Sequence, residues 1–188
     1  AQQRVTIDAR VTPVARSYGH MAIHPYPIEM VADVALPDGA RLHVRPIRPE
    51  DAEMERAFVA GLSEQTRYFR FFYQLHELTP AMLARFTQVD YDREMALVAE
   101  TKDAASGEVR MGGGGRLRKT PGSNDGEFAT LIGDDFQGQG LGTELVRRLV
   151  EVGRQEKLGK IIGDVLQDNV VMRRVCEKLG FTMTGELD

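Results

Sequence analysis

The sequence predicts an α/β (α+β) fold in which helices flank a mixed central β-sheet. Three observations carry this expectation. Residues 94–101, 108–117 and 127–132 read as three short strands separated by turn-rich loops, a meander. From Leu141 onward, Leu145, Leu149 and Val152 recur at three- and four-residue spacing, which predicts a helix of about four turns with one buried face. A further strand, helix and strand then follow, so sheet and helix alternate to the end of the chain.

The elements can be justified in order. The first thirty residues differ from the rest: Val5 to Ile7 alternate like a short strand, but Pro13, Gly19, Pro25 and Pro27 then interrupt regular structure. Residues 1–35 are expected to be a tail or linker, and residues 36–188 the domain. Leu42 and Val44 alternate with Arg41, His43 and Arg45, the period of a half-buried strand, until Pro46 and Pro49 stop it. Glu50 and Asp51 place acid at the start of the helix AEMERAFVAGL. Ser63 opens a second helix in SEQTRYFRFF, and Thr79 before Pro80 is an N-cap with proline at the first helical position. Late in the chain, residues 160–166 read as a strand, Asp168 as a plausible N-cap, and Gly180 as the glycine that ends the helix NVVMRRVCEKLG.

Composition narrows the functions. With 42% hydrophobic and 28% charged residues over 188 positions, the chain suits one well-buried domain. A net charge of −4 with no clustered basic face argues against nucleic acid as a partner. The lone Cys176 excludes an intrachain disulfide framework and a thiolate zinc cluster, and fits a reducing, cytoplasmic location. No apolar run approaches the roughly 20 residues of a membrane span. His20, His24, His43 and His76 lack metal-ligand spacing, so no metal is expected.

The most informative stretch is DDFQGQGLGTEL, in which Gly138, Gly140 and Gly142 alternate with other residues just before the amphipathic helix. A helix N-terminus carries unpaired amides and about half a positive charge, and glycines let a phosphate approach closely. A P-loop needs lysine and then Ser or Thr after its last glycine, whereas Thr143 and Glu144 follow Gly142. The dinucleotide fingerprint fails because Thr143 stands where its final glycine belongs. A glycine-rich helix entry with no ligand is the plain alternative.

Gln137, Gly138, Gln139, Gly140, Leu141 and Gly142 match at every defined position the pattern Q/R-x-x-G-x-G/A, and so resemble the pyrophosphate loop of the GNAT acyltransferases. The loop lies between EFATLI and the amphipathic helix, as that family requires, and DNVVMRRVCEKLGF resembles the family's second motif, with Asn169 opening a helix. Within the family, HVRPIRPEDAE, RYFRFFYQLHELTP, QVDYDREMALVAE and EFATLIGDDFQGQGLG look like the acetyltransferase domain of bacterial Pat-type protein lysine acetyltransferases, over about residues 36–187. VTIDAR resembles the end of the acyl-CoA synthetase-like region that precedes this domain in many members, and YGHMAIHPYPIE resembles its connector. The chain is thus expected to be the C-terminal part of a longer protein.

The resemblance implies transfer of an acetyl group from acetyl-CoA to lysine side chains of protein substrates, metabolic enzymes such as acyl-CoA synthetases among them, by direct attack in a ternary complex. It assigns the pyrophosphate to Gln137, Gly138, Gln139, Gly140, Leu141, Gly142 and Thr143. The pantetheine arm and thioester fall to Thr130, Leu131 and Ile132, with Asn169 touching the arm. Glu127, ten residues before Gln137, is the candidate base, expected to be partly buried and to work through a water. A small-molecule amine acetyltransferase and a non-catalytic acetyl-CoA-sensing module share these motifs. Cys176 stands where many members carry a tyrosine that protonates the leaving thiolate; a small buried residue is the simpler reading. Glu100 is read as a solvated acid at a strand end, and Asp134 with Asp135 as the turn before the loop. Residues 112–115, all glycine, mark a bulge or a close approach to coenzyme or substrate. Phe69, Phe72 and Tyr73 are read as core or groove wall. The resemblance implies a further strand after residues 185–188 that pairs back into the sheet, and without it a less stable fold or an incomplete acceptor groove is expected.

Overall fold

The computed structural model describes residues 2–10 and 25–187, so the breaks expected at Pro13 and Gly19 lie outside the described residues. Eight strands among them form one mixed sheet: β1 (Gln2–Asp8), β2 (Ala32–Ala35), β3 (Arg41–Pro46), β4 (Glu94–Lys102), β5 (Val109–Lys119), β6 (Gly126–Ile132), β7 (Lys160–Leu166) and β8 (Thr182–Leu187). Their order across the sheet is β2-β3-β4-β5-β6-β7-β1-β8. Only the β6–β7 pair is parallel. Five helices flank the sheet: α1 (Ala52–Gly61), α2 (Glu64–Phe71), α3 (Pro80–Thr87), α4 (Leu141–Gln155) and α5 (Val170–Lys178). The α/β class and the meander stand as expected.

Local signals explain most boundaries. The hydroxyls of Ser63 and Thr79 accept the amides of Thr66 and Met82, each 3.2 Å away, and so start α2 and α3. At α5 the cap is Asn169 rather than Asp168: Asn169 Oδ1 accepts the Met172 amide at 3.1 Å. In α4 the stripe Leu141, Leu145 and Leu149 is fully buried against the sheet, with Val152 close behind. Arg67 donates to the carbonyls of Val59, Ala60 and Leu62, satisfying the C-terminal end of α1 and fixing α2 beside it.

Two described stretches of the expected tail, β1 and β2, are instead strands of the sheet. β1 runs antiparallel to both β7 and β8, with Val5 opposite Gly163 on one side and Met183 on the other. Val5 is fully buried and Ile7 nearly so, the inward half of a two-residue alternation. β2 pairs with β3. β1 thereby closes the edges of β7 and β8 that face each other.

The four glycines of β5 also find a reason. Ala99 pairs with Gly113 and Glu100 with Met111, so Gly112 is the extra residue of a bulge. A Cβ at Gly112 would stand 3.0 Å from both Leu42 Cδ2 and Phe136 Cε2, and one at Gly115 3.1 Å from Leu149 Cδ1. The run seats α4 and Phe136 on the sheet; it is a close approach of protein to protein. Glu100, read as solvated, instead accepts Arg45 Nη2 at 2.9 Å, and Arg45 Nη1 also holds Asp51 Oδ2 at 2.7 Å. Burial works against the Asp51 carboxylate, but Arg45 and the Arg48 amide hold its pKa below the ordinary value.

Candidate active site

The site begins where two strands part. β6 and β7 pair only at Gly126 with Ile161 and Glu127 with Ile162. At the next step the Phe128 ring occupies the space over Gly163, where a Cβ would lie 2.3 Å from Phe128 Cε1. The ring packs on Phe181 with centroids 5.1 Å apart, so it is held there as a wedge. Beyond it the β7-facing edge of β6 is open, and its backbone lines a cavity of about 650 Å³.

One end of this cavity is the glycine loop. Gly138 and Gly140 have φ of +73° and +91°, left-handed conformations that glycine adopts without strain. Glu144 donates the first bond of α4, to Gly140 O at 3.0 Å, which leaves the amides of Leu141, Gly142 and Thr143 as the free donors of the helix start. At Gly142 a Cβ would meet nothing closer than Ile132 Cγ1 at 3.5 Å, so packing tolerates alanine there, as the pattern allows.

Of the residues singled out in the sequence, Glu127, Thr130, Leu131 and Ile132 line the cavity from β6. Gln137, Gly138, Gly140, Gly142 and Thr143 line it from the loop, and Asn169 from the start of α5. Gln139 and Leu141 do not: the Gln139 amide turns back to Asp135 O at 3.0 Å, and the Leu141 side chain is in the core. Gln137 has a framework role that its motif does not disclose, donating to Ile132 O at 3.2 Å and Thr66 Oγ1 at 3.0 Å. Asn169 Oδ1 caps α5, so its Nδ2 is the group left for the cavity.

Glu127 sits at the opposite end, where β6 begins. Its side chain is 54% exposed, with Arg118 Nη2 at 3.6 Å, so the partial burial expected of it is not there. Cys176 is fully buried in the core, where burial pushes its thiol up to about 12. It does not line the cavity, and the small-core-residue reading holds.

Phe69 and Phe72, read as core or groove wall, line the cavity, whereas Tyr73 does not. The sequence reading missed Thr66 and Arg70 of α2 and Arg174 and Lys178 of α5, which line it as well. Four-residue spacing on each helix was the available signal, but it does not say what a face meets. Burial, and then Arg116 beside it, lower the Arg70 pKa to about 10, which still leaves a cation beside Glu127 at neutral pH. Asp134, in the turn before the loop as expected, points its carboxylate away from the glycines, toward α2.

With this geometry in place, the comparisons decide the family. The acetyltransferase (GNAT) domain family matches residues 41–182. The chain belongs to the GNAT acetyltransferase family. It is 37% identical over 147 residues to Acetyltransferase PA5475 of Pseudomonas aeruginosa, which covers 78% of each chain. It is 28% identical over 177 residues to Acetyltransferase Pat of Mycolicibacterium smegmatis; the match takes in 94% of this chain but spans only 50% of that protein. Among solved structures, the GNAT domain of S. lividans PAT superposes with a TM-score of 0.77 at 28% identity, covering 87% of this chain and 94% of that one.

Proposed function

We propose that this GNAT domain transfers the acetyl group of acetyl-CoA to lysine side chains of protein substrates, in a ternary complex without a covalent enzyme intermediate. The observation that carries the reading is the single cavity whose wall runs from the amides of the glycine loop, along the open edge of β6, to the Glu127 carboxylate. An anion fits one end and a proton acceptor stands at the other. The pyrophosphate of the coenzyme sits on the amides of residues 138–143. The pantetheine arm follows the open backbone of Thr130, Leu131 and Ile132, with Asn169 Nδ2 across from it. The thioester then faces Glu127.

A lysine with the ordinary pKa near 10.4 is neutral at pH 7 in roughly one molecule in two thousand. Glu127, through a water, takes the ammonium proton; the freed nitrogen attacks the thioester carbonyl; the C–N bond forms and the C–S bond breaks as the nitrogen gives up its second proton to solvent water. Buried Cys176 is in no position to serve the departing coenzyme thiolate, which takes its proton from water. Half-exposed Phe72, which lines the α2 end of the cavity, and Tyr73 next to it in the chain suit a polypeptide surface bearing the lysine better than a free small amine.

Labelled acetyl-CoA incubated with an acceptor protein, or with polyamines and aminoglycosides, separates the substrate classes: label is expected in protein. Glu127→Gln is expected to lose about 100-fold or more in kcat, with acetyl-CoA affinity by calorimetry unchanged. Equal rates for the two enzymes would remove Glu127 as the base.

A further inference from the structure

The glycine loop and α2 both line the cavity, and they are tied directly to each other. Asp134, four residues ahead of Gly138, accepts the Ser63 amide at 2.8 Å through Oδ2. Its Oδ1 accepts the hydroxyls of Ser63 at 2.9 Å and Thr66 at 2.6 Å. Gln137, inside the loop, donates from Nε2 to the same Thr66 oxygen and to Ile132 O, the last carbonyl of β6. Thr66 is thus a joint: one hydroxyl gives its proton to the turn before the loop and receives one from the loop itself. Hydrogen bonds to a carboxylate are the stronger kind. Burial alone would raise the Asp134 pKa, but Thr66 and Ser63 together keep it below the ordinary carboxylate value.

This joint has little competition for control of α2. That helix has only eight residues, and its other polar anchor is Arg67, bonded to the carbonyls that end α1. Its cavity face carries Phe69 and Arg70, beside Glu127. The loop is the more deformable partner, because Gly138 and Gly140 hold their turns without side chains. Whatever fixes the loop therefore fixes the helix start through Asp134 and Gln137.

We propose that Asp134, Gln137 and Thr66 are positioning residues that couple the coenzyme loop to α2, so that seating the coenzyme sets the wall against which the acceptor lysine docks. This rests on the reading of the loop as a coenzyme A site. Coupling between two ligands is reciprocal, so bound acceptor tightens the coenzyme by the same factor, about 5-fold or more for an ordinary allosteric pair. Asp134 thereby spends its charge on three donors of α2, which keeps it off the phosphates.

Hydrogen exchange of the full chain with and without CoA tests this. In the wild type, CoA is expected to slow exchange both at residues 138–144 and at residues 66–71. Thr66→Val, close in shape but without the hydroxyl, and Asp134→Ala are expected to keep the loop protection and lose that of α2. Both variants are expected to raise KM for the acceptor about 5-fold or more while the Kd for CoA alone changes less than 2-fold. Asp134→Asn, which keeps one acceptor oxygen, is expected to fall between. Loop protection without α2 protection in the wild type, or equal α2 protection in Thr66→Val and wild type, overturns the coupling. Absence of any protection at the loop would instead sink the coenzyme assignment on which it rests.

Discussion

Two carboxylates lie on either side of Arg70, and their surroundings suit them to different uses. Glu127 opens onto the large cavity, half exposed, where a proton taken from a substrate can be handed on to solvent. Glu55 lies behind Arg70 on α1, with Arg116 3.6 Å from its Oε1. Its Oε2 is buried with no hydrogen-bond partner among the described residues, and Glu55 forms part of the wall of a small cavity of about 30 Å³. Burial raises the Glu55 pKa, and Arg116 and Arg70 only partly oppose it. The sign follows from linkage. A folded-state pKa above the unfolded value means that the folded protein favours the protonated form, so this contribution is fully present below the ordinary carboxylate value of 4.5 and is lost as pH rises through the folded value. Glu55→Gln, which cannot ionise, is therefore expected to gain stability relative to wild type between pH 4 and pH 7. Urea unfolding at both pH values measures it; a difference that does not move with pH would mean that Glu55 is fully compensated by the two arginines.

At the scale of the element, the cleft depends on a mismatch between neighbouring strands. β6 carries Phe128 where β7 carries Gly163, and the ring can lie over the glycine only because no Cβ is there. Gly163→Ala puts a carbon 2.3 Å from that ring, so either Phe128 leaves Phe181 or β7 moves off β6. Overpacking of this kind costs about 1–3 kcal/mol. A lower melting temperature is expected, together with weaker acetyl-CoA binding than in a control such as Val44→Ala, destabilised on β3 away from the cleft. Equal binding in the two would show that the wedge does not shape the cleft. The same pair shows what could be read in advance. Caps, helix stripes and strand alternation come from residues within one or two turns of each other, and Ser63, Thr79 and the leucines of α4 were legible for that reason. The parting of β6 from β7 depends on residues 35 positions apart, and the Thr66 joint on residues about 70 apart. Such contacts leave no local periodicity. The glycine loop was readable because its backbone needs positive φ, a demand that shows in residue type. Asn169 was placed in the site, but its cap was assigned one residue early, to Asp168.

For the molecule as a whole, the least legible feature is β1. Its seven residues carry an ordinary two-residue alternation, and nothing local says that their partners lie some 160 and 180 positions away, at β7 and β8. Non-local pairing of this kind closes a large loop, and its worth appears only once both partners are in place. If β1 were the tail that its flanking prolines suggest, a charge in it would be harmless. In the sheet it is not: Val5 is fully buried in the main core, with Ile7 beside it and Gly163 opposite across the ladder. Val5→Asp buries an unpaired carboxylate, a change on the order of 3 kcal/mol or more. In a domain of this size each kcal/mol moves the melting temperature by about 2–4 °C, so a fall of about 10 °C is expected. β1 is separated from the cavity by β7, and none of its residues lines the site. The acetylation rate of Val5→Asp at 15 °C, corrected for the folded fraction, is therefore expected to stay within about 2-fold of wild type. Calorimetric melting and a low-temperature rate assay distinguish the possibilities: an unchanged melting temperature would return β1 to the role of a tail, whereas a lost rate in fully folded protein would mean that the strand acts on the cleft through β7.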